Sequence, residues 1–191
     1  IEIPRSGYIQ KPGVSRAAAP PQVTVEITEY AEGVPQKESQ MGQSLSQIYL
    51  HIVFSTHDRK PFLQDKETRQ ALHAYLTGTC RQQDSPSIIV GGVEDHVHIL
   101  CRLGKTIPTA DLIRELNRDS SKWLKTQSPD LQVFQWQRGY GAFSVSPSHV
   151  DLSKEYIRNQ EDHHRTESFQ DEFLRLLRKY GVEYDEKYIW E

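Results

Sequence analysis

Two histidines separated by one valine, His96-Val97-His98, are the residues of this chain best suited by type and spacing to do chemistry. They open a run in which Val97, Ile99, Cys101 and Leu103 alternate with His96, His98, Leu100 and Arg102. Alternation of this kind reads as a half-buried β-strand, in which residues two apart share a face. His96 and His98 then project side by side from a stiff element. Two neutral imidazoles so placed form two corners of a divalent-metal site. A solvated pair on the polar face of a strand is the competing reading, and on the pair alone the two are evenly matched.

The second informative stretch is Tyr156-Ile157-Arg158-Asn159-Gln160. Ser148, following Pro147, suits the N-cap of a helix from about His149 to His163. On that helix Tyr156 and Gln160 are one turn apart and stack on one face. Taken alone, Tyr156 reads as a packing residue and Gln160 as a solvated one. His163 and His164 read as surface residues or DNA contacts in preference to auxiliary ligands, and Asn159 carries no role.

Other elements must hold these residues in place. Leu45 to Thr56 is rich in β-branched and aromatic residues and predicts a central buried strand. Pro61 ends its pairing, and a helix follows from about Asp65 to Gln83 until Asp84-Ser85-Pro86 breaks it. Ser87 to Val93 predicts a strand joined to the histidine strand by the short Glu94-Asp95 turn. Within it, Gly91-Gly92 marks a bulge or a close approach of another backbone. A helix from Thr106 to about Thr126 has a core stripe of Leu112, Ile113, Leu116, Ser120, Trp123 and Leu124. Its opposite face carries Arg114, Arg118, Lys122 and Lys125, read as basic residues without an acid among them. A solvated face and a phosphate-facing surface explain that run about equally well. Phe134 to Ser146 predicts a strand pair or one interrupted strand bent at Gly139 and Gly141. A last helix spans Ser168 to Tyr180, stopped by Gly181, and the aromatic tail beyond it packs as a strand or clasp.

Composition narrows the class. The chain has 191 residues, 36% hydrophobic and 26% charged, with a formal net charge of -3. That balance argues against a protein that coats nucleic acid and confines any contact to a local basic face. No stretch is apolar enough to span a membrane. Cys80 and Cys101 lack metal-like spacing, and a reduced, cytoplasmic setting is expected. Residues 1–40 hold Pro4, Pro12, Pro20, Pro21 and Pro35, half of the ten prolines, and read as a disordered or poorly packed extension. The expected domain runs from Met41, the only methionine, to the end of the chain.

Taken together, the two stretches resemble the single-tyrosine transposases of the IS200/IS605 type, within the HUH endonuclease superfamily. His96-Val97-His98 matches the His-hydrophobic-His motif, and Tyr156 with Gln160 matches the family's nucleophile and its metal-binding glutamine. The order of elements agrees from about Met41 to His164. The resemblance implies an α+β fold, a central antiparallel sheet flanked by helices around a ferredoxin-like HUH core. It implies a DNA transposase that cuts and rejoins single-stranded DNA through a covalent 5′-phosphotyrosine on Tyr156 and leaves a free 3′-hydroxyl. His96, His98 and Gln160 would ligate Mg²⁺ or Mn²⁺. The DNA would be a hairpin near the element's ends, and the protein a homodimer whose tyrosine helix can act in trans. Arg114, Arg118, Lys122, Lys125 and Arg158 are the expected DNA contacts.

The chemistry is coherent in its own right. A tyrosine nucleophile stores the phosphodiester bond in a covalent intermediate and so splits transfer into two reversible steps. Free tyrosine has a pKa of about 10 and attacks poorly at neutral pH, so a divalent ion that polarises the phosphate and neutralises developing charge is a natural companion. A histidine-triad nucleotide hydrolase would need a third histidine where Leu100 stands. A non-catalytic or domesticated hairpin-binding relative of the same fold is the second alternative.

Overall fold

The computed structural model describes residues 45–190; the expected N-terminal extension and the Met41 start lie outside them. The fold is α+β, a four-stranded antiparallel sheet with helices on both faces, as expected. Its strands are β1 (Tyr49–Ser55), β2 (Ser87–Gly92), β3 (His96–Arg102) and β4 (Gly141–Val145), in the spatial order β2-β3-β1-β4. The helices are α1 (Lys66–Gln82), α2 (Thr109–Leu124), α3 (Val150–Arg158), α4 (Gln160–His163) and α5 (Phe169–Lys179). No described helix is long and apolar enough to cross a membrane.

Strand alternation sorts the sheet's side chains into two cores. Leu50, Ile52 and Phe54 of β1 join Val97, Ile99 and Cys101 of β3 under α1 and α2, with Leu72, Leu76, Leu112 and Leu116 packed on them. The other face carries Val53, which packs with Phe143, Phe169, Phe173 and Leu176, and Leu100, which packs with Val145 and Ile157. In the β1–β3 register Val53 lies opposite His98 and Ser55 opposite His96, so both histidines belong to this second face. The half-buried strand expected for β3 is instead buried from His96 to Cys101, because α3 to α5 roof over its polar face.

Two expected elements differ. The helix anticipated from His149 to His163 breaks at Asn159, whose ψ of 20° ends α3 before α4 opens at Gln160. Ser148 does not cap it; His149 precedes the helix without a capping hydrogen bond. The strand anticipated from Phe134 shrinks to β4 and a single bridge between Trp136 and Thr56. Trp136 turns into the α2-side core instead, its indole donating to Ser120 Oγ at 2.9 Å and meeting Phe54 and Phe134 edge-on. The tail forms no strand; Trp190 packs on Phe173 and lies under the Arg59 guanidinium.

Gly91 is a place of close approach. A Cβ there would meet the Ile157 carbonyl oxygen at 2.7 Å, so its missing side chain lets α3 lie directly on β2. The bulge in this strand falls earlier, between Ser87 and Ile89.

Candidate active site

Three imidazoles converge on one carboxylate beneath α5. His96 Nδ1 lies 2.6 Å from Asp95 Oδ1, and His98 Nδ1 lies 2.9 Å from His51 Nε2. His164 Nδ1 lies 2.9 Å from the Glu167 carbonyl oxygen. With each Nδ1–H donating to its partner, every ring turns its Nε2 inward, the usual way a protein fixes metal-ligating histidines; His164 Nε2 hydrogen-bonds Glu172 Oε2 at 3.1 Å, which takes a proton on that nitrogen as well. The three Nε2 atoms lie 3.6, 3.3 and 3.1 Å from Glu172 Oε2. His98 Nε2 is buried and has no hydrogen-bond partner, since its approach to Glu172 is outside hydrogen-bonding geometry. One donor atom from each of His96, His98, His164 and Glu172 falls within 4.8 Å of all the others. Imidazole and carboxylate donors at such spacing fit a divalent transition-type ion.

Gln160 joins this cluster. It is 1% exposed, its Oε1 stands 3.4 Å from His96 Nε2, and its amide donates to Glu172 Oε1 at 3.0 Å. Tyr156 reaches the same oxygen, its hydroxyl donating to Glu172 Oε1. Arg175 Nη2 donates to the Tyr156 oxygen at 3.0 Å. Although α3 and α4 are separate helices, Tyr156 and Gln160 therefore meet on one carboxylate, and a single chain brings all of these groups together.

The electrostatics follow from burial and contact. Burial alone would raise the Glu172 carboxyl, but the adjoining His98 and His164 outweigh it and hold the group well below the usual carboxylate range. His98 is pushed down by burial against the pull of Glu172. His51 is pushed down to about 3 by burial and then by His98, so it stays neutral. For His164 burial is outweighed by the hydrogen bond to Glu172, and its pKa rises. The Tyr156 phenol is raised by burial and then by the Glu172 charge, with Arg175 working the other way. The nucleophile candidate is thus held protonated by its burial and by the carboxylate that the histidines surround.

Tyr156 also lines a cleft of about 500 Å³ with His51, Ser146, Ser153, Arg175 and Lys179. A phosphate entering there meets two cations, the serine hydroxyls and the tyrosine oxygen.

Three members of the site escaped sequence reasoning. His164 read as a surface residue, yet its ring packs 4.4 Å from His96. His51 passed as an ordinary strand residue. Glu172 went unnoticed, although Phe169, Glu172, Phe173 and Leu176 share helical spacing. A carboxylate inside an apolar stripe was the available signal.

The basic residues expected to meet DNA lie elsewhere. Arg114 pairs with Asp111 at 2.6 Å, and Arg118 with Asp119 at 2.8 Å and with Glu115. The α2 face is therefore not free of acids; they sit one or three positions from the arginines, which keeps the like charges from repelling unopposed. Lys122 and Lys125 lie further along the same helix. Arg158 pairs with Glu155 on α3.

Residues 44–160 match the family model described as transposase, IS200-like. No curated protein matches the chain. Among solved structures, a Deinococcus radiodurans R1 protein assigned as a transposase is 19% identical, with a TM-score of 0.49, over 61% of this chain and 93% of that one. A REP-associated tyrosine transposase bound to a REP hairpin is 13% identical, also with a TM-score of 0.49, over 66% of this chain and 74% of that one.

Proposed function

The chain belongs to the family of IS200-like transposases, and from that premise we propose that it cuts and rejoins single-stranded DNA with Tyr156 as nucleophile. The observation that carries this reading is the shared contact: Tyr156, Gln160 and three inward-facing imidazoles all meet at Glu172. The substrate is a DNA hairpin with its single-stranded flank, and the protein works in the cytoplasm as a homodimer.

In the cutting step the Tyr156 oxygen forms a bond to phosphorus and the bond from phosphorus to the 3′-oxygen breaks. The products are a 5′-phosphotyrosine and a free 3′-hydroxyl; rejoining is the reverse attack by a 3′-hydroxyl. The phenolic proton leaves to solvent through the cleft and the departing 3′-oxygen takes one up from solvent, while Glu172 Oε1, to which the Tyr156 hydroxyl donates, orients the phenol. Arg175 holds the tyrosine oxygen in place and stabilises it as negative charge develops. His96, His98, His164 and Glu172, with Gln160 beside them, would hold a divalent cation. His51 and Asp95 fix the ring orientations that this requires. A cation bound there would supply Lewis-acid polarisation of the phosphate and offset the Glu172 charge beside the phenol. The imidazole-rich set suits Mn²⁺, with Mg²⁺ the abundant alternative.

The test is incubation with labelled single-stranded hairpin DNA and Mn²⁺, read on a denaturing gel. Wild-type protein gives a protein–DNA band that survives denaturation, and Tyr156→Phe, lacking only the hydroxyl, binds DNA but gives none. Persistence of the band in Tyr156→Phe would remove Tyr156 as nucleophile. Hairpin binding by wild type without any band would favour a non-catalytic relative.

A further inference from the structure

A second concavity lies on the α2 side of the sheet, between that helix and the 135–139 segment. Its volume is about 1070 Å³, and Asn117, Lys122, Trp136, Gln137, Arg138 and Tyr188 are among the residues that line it. No carboxylate lines it. Lys122 and Arg138 are exposed at its rim, whereas the Arg118 charge beside them is already matched by Glu115 and Asp119. Tyr188 is 57% exposed, a large flat ring with the Lys187 ammonium 5.1 Å from its centre.

The wall of the cleft holds unspent polar capacity. Gln137 is only 6% exposed, and its Nε2 has no hydrogen-bond partner. Asn117 Oδ1 is likewise buried without one. Buried amide groups are rarely left unmatched, since each lost partner costs about 1–3 kcal/mol. Both residues line the same cleft, and a small side-chain turn would offer a base edge one donor and one acceptor, the complement of what a nucleobase presents. The cleft is also tied to the catalytic strand: Gln137 N donates to the Ser55 carbonyl at 2.8 Å, and Ser55 lies opposite His96.

We propose that this cleft binds single-stranded DNA flanking the cleaved bond. Lys122 and Arg138 engage phosphates, Tyr188 stacks under a base, and the Asn117 and Gln137 amides meet a base edge. The inference rests on the proposed function and names the surface that steers the strand. Cations along a groove with an exposed aromatic ring are the general means of holding single strands.

Fluorescein-labelled dT12 and dA12 titrated with the full chain at several salt concentrations, read by anisotropy, test it. Lys122→Gln and Arg138→Gln each lower the slope of log affinity against log salt by about 0.7. Tyr188→Ala weakens binding roughly tenfold, and Gln137→Leu narrows the difference in affinity between dA12 and dT12. Arg114→Gln, outside the cleft and paired with an acid, leaves the slope unchanged. Should Gln137→Leu unfold, the three exposed positions carry the test without it. Wild-type slopes and affinities in Lys122→Gln, Arg138→Gln and Tyr188→Ala overturn the proposal, even where the Tyr156 adduct still forms. Absence of that adduct in wild type strikes the proposed function instead.

Discussion

Gly91→Ala tests whether the close contact of α3 with β2 positions Tyr156, the proposed nucleophile. Gly91 lies opposite His98 in the β2–β3 register, and the backbone of Ile157 crosses above it. A methyl at Gly91 meets the Ile157 oxygen at 2.7 Å and Cγ2 at 2.8 Å, where ordinary contact begins at 3.4 Å, so α3 must retreat by about 0.7 Å. The oxygen belongs to backbone and cannot swing aside. Ile157 is itself 1% exposed, and moving it moves Tyr156, the residue before it. Overpacking of this kind costs about 1–3 kcal/mol, which at usual slopes lowers a urea midpoint by roughly 1 M. A misplacement of about 1 Å in a reacting group can cost about 10²-fold in rate, so a shift of this size should slow adduct formation some ten- to a hundredfold. Single-turnover adduct formation with saturating hairpin DNA, beside urea unfolding, measures both effects. A variant that is destabilised yet forms adduct within twofold of the wild-type rate would show that this contact does not set the tyrosine.

Two further outcomes are expected. His73 is half-buried, its Nε2 has no hydrogen-bond partner, and its pKa is lowered to about 4 by burial and then by Arg69. Because the unfolded chain takes up this proton near pH 6.5 and the folded chain only near 4, stability falls as pH drops between them, by about 3 kcal/mol at pH 4; His73→Leu should flatten that decline in urea titrations from pH 7 to 4, and an unchanged decline would clear His73 of it. Since one chain assembles Tyr156 with His96, His98 and Glu172, mixing Tyr156→Phe with His98→Ala protein should yield no adduct, whereas restored adduct would mean that the tyrosine serves its partner's site.

The sequence displayed the histidine strand and its neighbours because their signals are local. Alternation in His96 to Leu103 named the face of each histidine, and Gly91-Gly92 announced a close approach. What it hid depends on contacts between distant elements. His164 reads as polar surface until its ring packs on His96 and its Nε2 meets Glu172. The break at Asn159 was masked because Tyr156 and Gln160 keep the spacing of one continuous helix. Trp136 left the expected strand for a tertiary reason, the pocket formed by Phe54, Phe134 and Ser120. On α2 the eye followed the basic residues at four-residue spacing and passed over Asp111, Glu115 and Asp119 between them.

Glu172 shows why α5 belongs to the candidate site although the family match ends at residue 160. A carboxylate with no exposed surface is costly to bury unless its oxygens are satisfied. Oε1 accepts from Tyr156 and Gln160, and Oε2 faces three imidazoles. Those partners come from β3, α3, α4 and the turn after α4, so none of them alone could stabilise the charge. The apolar residues around Glu172 dock α5 on Val53 and Phe143, and that docking sets the carboxylate where the histidine side chains converge. The helix that completes the second core and the helix that completes the site are therefore one element, and loosening its apolar face disturbs the site before it exposes the sheet.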